Sequence, residues 1–457
     1  PPRSTLFPYT TLFRSAQLLN GSPITNMPNI WLDLTKKFFR GKIRSAQDTT
    51  ESKRYYVENY SVPESWVENA FNPEVMRMDS IADAATDIHI QDMYNFKPNA
   101  PVVIADACFN GSFHLEDYIS GHYIFNEGKT VVIKANSVNT LQDTWTNQLI
   151  GLLDLGVSVG NWAKGQMTLE SHLIGDPTYR YVSSDSGKGW IDESIVTKKR
   201  DEKFWRKALK DENPEVKSLS MKMLFNMDKI SPNELLVFQQ NDKSAIVRLQ
   251  AFYLLNKKYN PLLVESIKTG LYDNYELIRR LSAKEASTNC APELLDHIYR
   301  IRFAPGTSKR VEFQLKGACE VYSKSLALDA FARFVESKSD QWYQRRAKER
   351  KDLEYILTRT EKEFSELLDP AVAIRSKRFT ITALRNSNSI AYLDTLFRFF
   401  KESQERDLKI LLTEAFAWYT NSYKRDVIID FCRVQSLTEK DEAVKKELLR
   451  TVNRLTN

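Results

Sequence analysis

Cysteine is scarce in this sequence, and its spacing suggests no pairing. Cys108, Cys290, Cys319 and Cys432 lie far apart, with no Cys-x-x-Cys and no Cys/His cluster. Such an arrangement supports neither a zinc site nor a disulfide framework, and no cofactor or metal is expected. It leaves the compartment open, since a large domain can be secreted without disulfides. Long apolar runs are missing too. None approaches the ~20 residues of a membrane-crossing helix, so no membrane span is expected. Nor is there much excess of one charge: 65 basic against 59 acidic residues leave a net +6. With so balanced a chain and no aromatic-basic motif, no nucleic-acid partner is expected.

The 457 residues leave room for two or three domains, and 42% hydrophobic content permits a core. The first residues read as foreign. Leu6 to Ser15 resembles the translation of a sequencing adaptor, and the chain does not start with Met. Residues 1–15 are therefore set aside from fold reasoning, and the native sequence is expected to begin upstream of Ala16.

Composition changes near residue 190. Before it lie most of the glycines and short β-rich runs. After it the chain is charged, poor in Gly and helical in period. Pro101–Ala107 and Lys129–Ala135 are apolar or β-branched runs suited to parallel strands buried on both faces. Leu115–Phe125 between them is long enough for a crossover helix, ended by Gly128. Thr140–Leu155 reads as a further helix and Thr178–Ser183 as a further strand. This alternation predicts an α/β layered domain over residues 16–190. Residues 31–85, helical at Trp31–Arg40 and broken by Pro63 and Pro73, read as a helical insertion.

The remainder is a repeat. Asp211, Asp242 and Asp273 fall 31 residues apart. Five and six positions after each come an aliphatic and a basic residue: Val216-Lys217, Val247-Arg248 and Ile278-Arg279. Asp369 repeats the pattern with Ile374-Arg375, and looser copies occur at Leu408-Lys409 and Val444-Lys445. Each copy runs on as an amphipathic helix. A fixed period of this size predicts stacked helical pairs, each burying its apolar face on the next. The Asp is expected to cap its helix and the basic residue to pair along the stack. Residues 200–457 thus read as an all-α HEAT-like solenoid, a surface that suits a protein partner.

Cys108 carries the chemistry. It ends the run Pro101-Val-Val-Ile-Ala-Asp-Ala and opens the turn Phe109-Asn110-Gly111-Ser112. In α/β sheets ligands bind at the carboxyl ends of the strands, where Cys108 would sit. A buried strand fixes such a thiol, and the turn exposes it. The same residue also reads as a small core hydrophobe. Among the histidines, His89 precedes the Cys108 strand and is the substitute candidate for a base. His114 and His122 follow the nucleophile and belong to the turn and the crossover helix, while His172 and His297 read as structural. Asp106 is expected to orient backbone, and Asp176 to make a turn.

Residues 16–185 resemble part of the gingipain family of cysteine peptidases, in the same clan as caspases. The motif Ile104-Ala-Asp-Ala-Cys108-Phe-Asn-Gly111-Ser-Phe113 carries the resemblance. Lys129-Thr-Val-Val-Ile-Lys-Ala-Asn136 and Leu173-Ile-Gly-Asp-Pro177 support it. The resemblance implies a caspase-like layered parallel sheet and a cysteine endopeptidase acting on protein or peptide substrates, often after basic residues. It also implies export, extracytoplasmic or secreted, from a cell of the Bacteroidetes type. In that chemistry a thiolate attacks the scissile carbonyl, and a His followed by Gly protonates the leaving amine. The backbone N–H groups of the nucleophile and of that Gly hold the oxyanion. Only Cys108 carries over. The sequence has no His-Gly dipeptide. The pair is expected upstream of Ala16, which would leave the chain as written inactive. The alternative is a helical-repeat scaffold carrying a degenerate peptidase domain.

Overall fold

The computed structural model describes residues 28–46, 48–86, 90–140, 145–336 and 343–456. They are mostly helical. The chain divides into two compact units, one ending at Thr197 and one beginning at Lys198.

The first unit opens with three helices, α1 (Pro28–Arg44), α2 (Thr49–Tyr60) and α3 (Pro73–Thr86). Asp48 caps α2 by accepting the Glu51 N–H, and Ser61, in the left-handed region, ends it. Ile43, Val62, Val67 and Ala70 form a small core of their own. Buried Asp79 on α3 ties α1 down. Its carboxylate takes Arg40 and Arg44, and Arg44 also reaches Ala70 O at 2.7 Å.

The sheet that follows is small and mixed. Strand β1 (Val102–Ile104) lies parallel to β2 (Val132–Asn136), in the register Val102↔Val132. Helix α4 (Ile119–Phe125) makes the crossover between them. Strand β3 (Ser171–Gly175) pairs antiparallel on the far side of β2, with Ala135 opposite His172. Every residue of β2 is buried, as its apolar run predicts for a central strand. On one face Tyr123 and Ile124 of α4 cover Ile133 and Ala135.

Two sequence expectations need correction. Thr178–Ser183 is not a strand, and the third strand is Ser171–Gly175, antiparallel rather than parallel. Of Thr140–Leu155, residues 141–144 lie outside the described residues. Turns fill 146–150, and helix α5 covers only Gly151–Asp154. Three strands with one antiparallel pair do not make the caspase-like layered sheet, and that architecture remains an expectation. Helices α6 (Val159–Lys164) and α7 (Ile191–Thr197) complete the unit.

The second unit is helical throughout its described residues. Its helices are α8 (Glu202–Ala208), α9 (Pro214–Asn226), α10 (Pro232–Asn241), α11 (Ala245–Leu255), α12 (Leu263–Leu271), α13 (Glu276–Asn289), α14 (Leu295–Arg302), α15 (Lys309–Cys319) and α16 (Lys324–Glu336). After these come α17 (Tyr343–Ser365), α18 (Ile374–Ala383), α19 (Leu393–Glu402), α20 (Arg406–Phe416), α21 (Arg425–Thr438) and α22 (Glu442–Thr456). Helices α9, α11, α13 and α15 stack in order, as do α10, α12, α14 and α16 beside them. A second series, α18, α20 and α22, stacks likewise. This two-row stacking is what the 31-residue period encodes.

The repeated aspartates differ in detail from the expected caps. Asp211, Asp242 and Asp273 each accept the N–H two residues on, from Asn213, Ser244 and Tyr275. They form turns one step outside the helix, and those three residues take the N-cap position. In Asp242 and Asp273 the carboxylate also meets the basic residue of the preceding repeat. Lys217 Nζ reaches Asp242 at 2.9 Å, and Arg248 Nε reaches Asp273 at 2.7 Å. Lys409 pairs with Glu439 in the second series.

The two series are also stitched together across the chain. Asn289 Nδ2 donates to Asn421 O at 2.8 Å, and the Tyr423 N–H to Asn289 O at 2.9 Å. Asn421 Nδ2 donates to Asn256 O at 2.7 Å, and Asn388 Nδ2 to Thr288 O at 2.9 Å. Three of these four bonds satisfy carbonyls at the C-terminal ends of α11 and α13, where helices leave acceptors open.

Candidate functional site

Strand β1 ends at Ile104, and the chain turns at Cys108. Phe109 adopts φ +58°, a left-handed conformation that a bulky residue holds only when its surroundings enforce it. The enforcing contacts come from β2 and the segment after it. The Phe109 N–H donates to Val138 O at 3.2 Å and the Gly111 N–H to Asn136 O at 2.9 Å. Buried Asn110 donates to Ala105 O at 2.9 Å, and its own Oδ1 accepts the Asn136 N–H at 2.9 Å. Asn136 Nδ2 lies 3.3 Å from both Ala105 O and Ala107 O, and Ser171 Oγ donates to Asn136 Oδ1 at 2.7 Å. Two asparagines thus rivet the turn to all three strands.

The Cys108 side chain is half-buried, whereas the other three cysteines are fully buried. Its sulfur receives the Thr140 N–H at 3.1 Å and lies 3.3 Å from Thr140 Oγ1.

Gly111 has no room for a side chain. A Cβ there would sit 2.6 Å from Ala135 Cβ and 2.7 Å from His172 Nε2. That Nε2 is buried with no hydrogen-bond partner among the described residues, and the ring meets Phe113 edge-on at 4.8 Å. His172, read from sequence as structural, is therefore the histidine that β3 brings to the Cys108 turn. The antiparallel pairing with Ala135 does this, and no spacing in the sequence announces it.

The other expected residues are placed as follows. His89 lies outside the described residues. His122 sits on α4, with Nε2 2.7 Å from Asp117 and Nδ1 3.2 Å from Asn126, so it clasps its own helix. His114 is exposed beside Phe113. His297 belongs to the second unit and meets Tyr272 OH at 2.9 Å. No histidine bonds the Cys108 thiol among the described residues. Asp106 is exposed and sits within electrostatic range of buried Lys134. Burial pushes the Lys134 ammonium below its ordinary range, and Asp106 partly offsets this. Lys134 also faces the Trp162 ring and Thr146 O. Asp176 makes its turn, accepting the Thr178 N–H at 2.8 Å and hydroxyl at 2.7 Å. Among the described residues no group of His, Cys, Asp and Glu is arranged to hold a metal ion. No described helix is long and apolar enough to cross a membrane.

Compared with models of known protein families and with curated proteins, the chain matches none.

Proposed function

We propose that the first unit is the nucleophile-bearing part of a gingipain-like cysteine endopeptidase, joined to a HEAT-like helical array. The observation that carries this reading is Cys108 itself. Its thiol stands half-buried just past the end of a parallel strand, ahead of a left-handed residue, with a backbone N–H directed at the sulfur. In this reading the thiolate attacks a peptide carbonyl and expels the amine, which takes its proton from the acid/base histidine, and water then hydrolyses the thioester to a carboxylate and the free thiol. The acid/base histidine comes from outside the described residues, either a His-Gly pair upstream of Ala16 or His89.

The test is peptide hydrolysis by the chain extended through the sequence encoded ahead of Ala16, with fluorogenic peptides bearing Arg or Lys before the scissile bond. Cleavage that disappears in Cys108→Ala supports the peptidase. An extended chain that folds but cleaves nothing, or one whose Cys108→Ala variant cleaves equally well, overturns it. In that case the protein is a helical-repeat scaffold on an inactive domain.

A further inference from the structure

Asn136 spends every polar group it has on the Cys108 turn or on β3. Its N–H donates to Asn110 Oδ1 at 2.9 Å, and its carbonyl accepts the Gly111 N–H at 2.9 Å. Its side chain is buried at the end of β2, directly opposite Ser171 of β3. Two carbonyls fix which way its amide points. Ala105 O and Ala107 O, each 3.3 Å away, can be met only by the donor end, Nδ2. Oδ1 then takes the Ser171 hydroxyl at 2.7 Å. The opposite orientation would set Oδ1 against two carbonyl oxygens.

The two carbonyls are not equivalent. Ala105 O already receives the Asn110 amide at 2.9 Å, so the strand end is anchored without Asn136. Ala107 O is met by Asn136 alone among the described residues. That carbonyl belongs to the peptide that ends in the Cys108 N–H. The peptide is trans, and in a trans peptide the carbonyl and the N–H point opposite ways. Drawing Ala107 O to Asn136 therefore turns the Cys108 N–H away from the Asn136 amide. The Phe109 and Gly111 N–H groups are consumed by Val138 O and Asn136 O, whereas the Cys108 N–H meets no acceptor among the described residues. An idle donor held in a fixed direction on the residue that bears the thiol suits charge that exists only during a reaction.

We infer that Asn136 is a positioning residue: by holding Ala107 O, with Ser171 fixing its amide, it aims the Cys108 N–H at the oxygen of the carbonyl under attack. The inference rests on the peptidase reading. As the thiolate sulfur bonds to the carbonyl carbon, the π pair moves onto oxygen, and the Cys108 N–H donates to that oxyanion. The pair returns to re-form the carbonyl as the amine departs with the proton given by the histidine. Asn136 itself touches no reacting atom.

The experiment uses the extended chain and fluorogenic Arg or Lys peptides. Ser171→Ala frees Asn136 Oδ1 and leaves the backbone bonds of the turn in place, and Asn136→Asp exchanges the donor for an oxygen. The expected losses in kcat are about tenfold and about a hundredfold, with KM changed by less than about twofold. Ser171→Thr restores the hydroxyl and should recover most of the kcat lost in Ser171→Ala. Two thiol reagents separate aim from mere structure. A peptide aldehyde takes the Cys108 sulfur on carbon and the thiol proton on oxygen, which sets an oxygen where the oxyanion forms. Iodoacetamide alkylates the sulfur and releases iodide, with no such oxygen. Aldehyde affinity should fall in step with kcat while the alkylation rate stays near that of the parent. Full kcat in a folded Ser171→Ala, or equal losses in aldehyde affinity and alkylation rate, overturns the role of Asn136 and leaves the peptidase reading standing. Should Asn136→Asp fail to fold, Ser171→Ala decides by itself. An extended parent that folds yet cleaves nothing overturns both.

Discussion

Arg248 grips Asp273 of the next repeat with two parallel bonds, Nε to Oδ2 at 2.7 Å and Nη2 to Oδ1 at 2.9 Å. The guanidinium also donates to Asp242 O and Lys243 O, so one side chain joins two repeats. Both partners are buried. Removing the carboxylate strands a buried cation, and Asp273→Ala is expected to cost about 3 kcal/mol. Arg248→Met with Asp273→Ala should cost clearly less than the two single changes together. A double-mutant cycle by urea unfolding checks this, and additive losses would mean that the pair is not coupled.

Asp79 gives the helical segment of the first unit a pH dependence. Burial alone would raise its carboxyl, but the Arg40 and Arg44 guanidiniums outweigh burial and hold it below the ordinary range. A carboxyl depressed in the folded state adds stability that is fully present above its unfolded pKa of about 3.9. That stability is lost as pH falls through the folded value. Thermal melts are expected to show this acid limb in the parent. Asp79→Asn should melt lower at pH 7 and show a shallower fall below pH 4.

Gly111→Ala tests the turn. The new methyl meets Ala135 and His172, neither of which lies at the end of a long flexible chain. A loss of about 1–3 kcal/mol is expected, with a changed rate of thiol labelling at Cys108. Ala135→Gly in the same chain should recover part of the stability.

Asn421 tests the stitch between the two helical series. Its amide donates to Asn256 O, and its backbone carbonyl accepts from Asn289. Asn421→Ala leaves a carbonyl unmet and is expected to cost about 1–3 kcal/mol by urea unfolding. Amide exchange should quicken at the ends of α11 and α13.

What the sequence made legible was local or periodic. The 31-residue spacing of Asp211, Asp242 and Asp273 marked the repeat, and the continuous apolar runs marked β1 and β2. The third strand was not legible. Thr178–Ser183 has the aromatic and β-branched residues of a strand but no partner, and Val182 is 95% exposed. Strand formation depends on the neighbour more than on the residue's own preference. The roles of Asn136, His172 and Asn421 depend on contacts 26 to 165 residues apart, which periodicity cannot report. At the site, Cys108 was legible from its strand-to-turn setting, but the residues that hold it were not.

The most direct measurement is native-state alkylation with iodoacetamide, mapped by peptide mass spectrometry. Burial pushes the Cys319 thiol up to about 11 and Cys432 up to about 12, with Cys290 raised as well. None of the three should react before the protein unfolds. Modification of Cys108 alone in the folded protein, with all four cysteines labelled in urea, is the predicted result. Protection of Cys108 equal to that of the other three would contradict the account, leaving it a packed thiol with no part in catalysis.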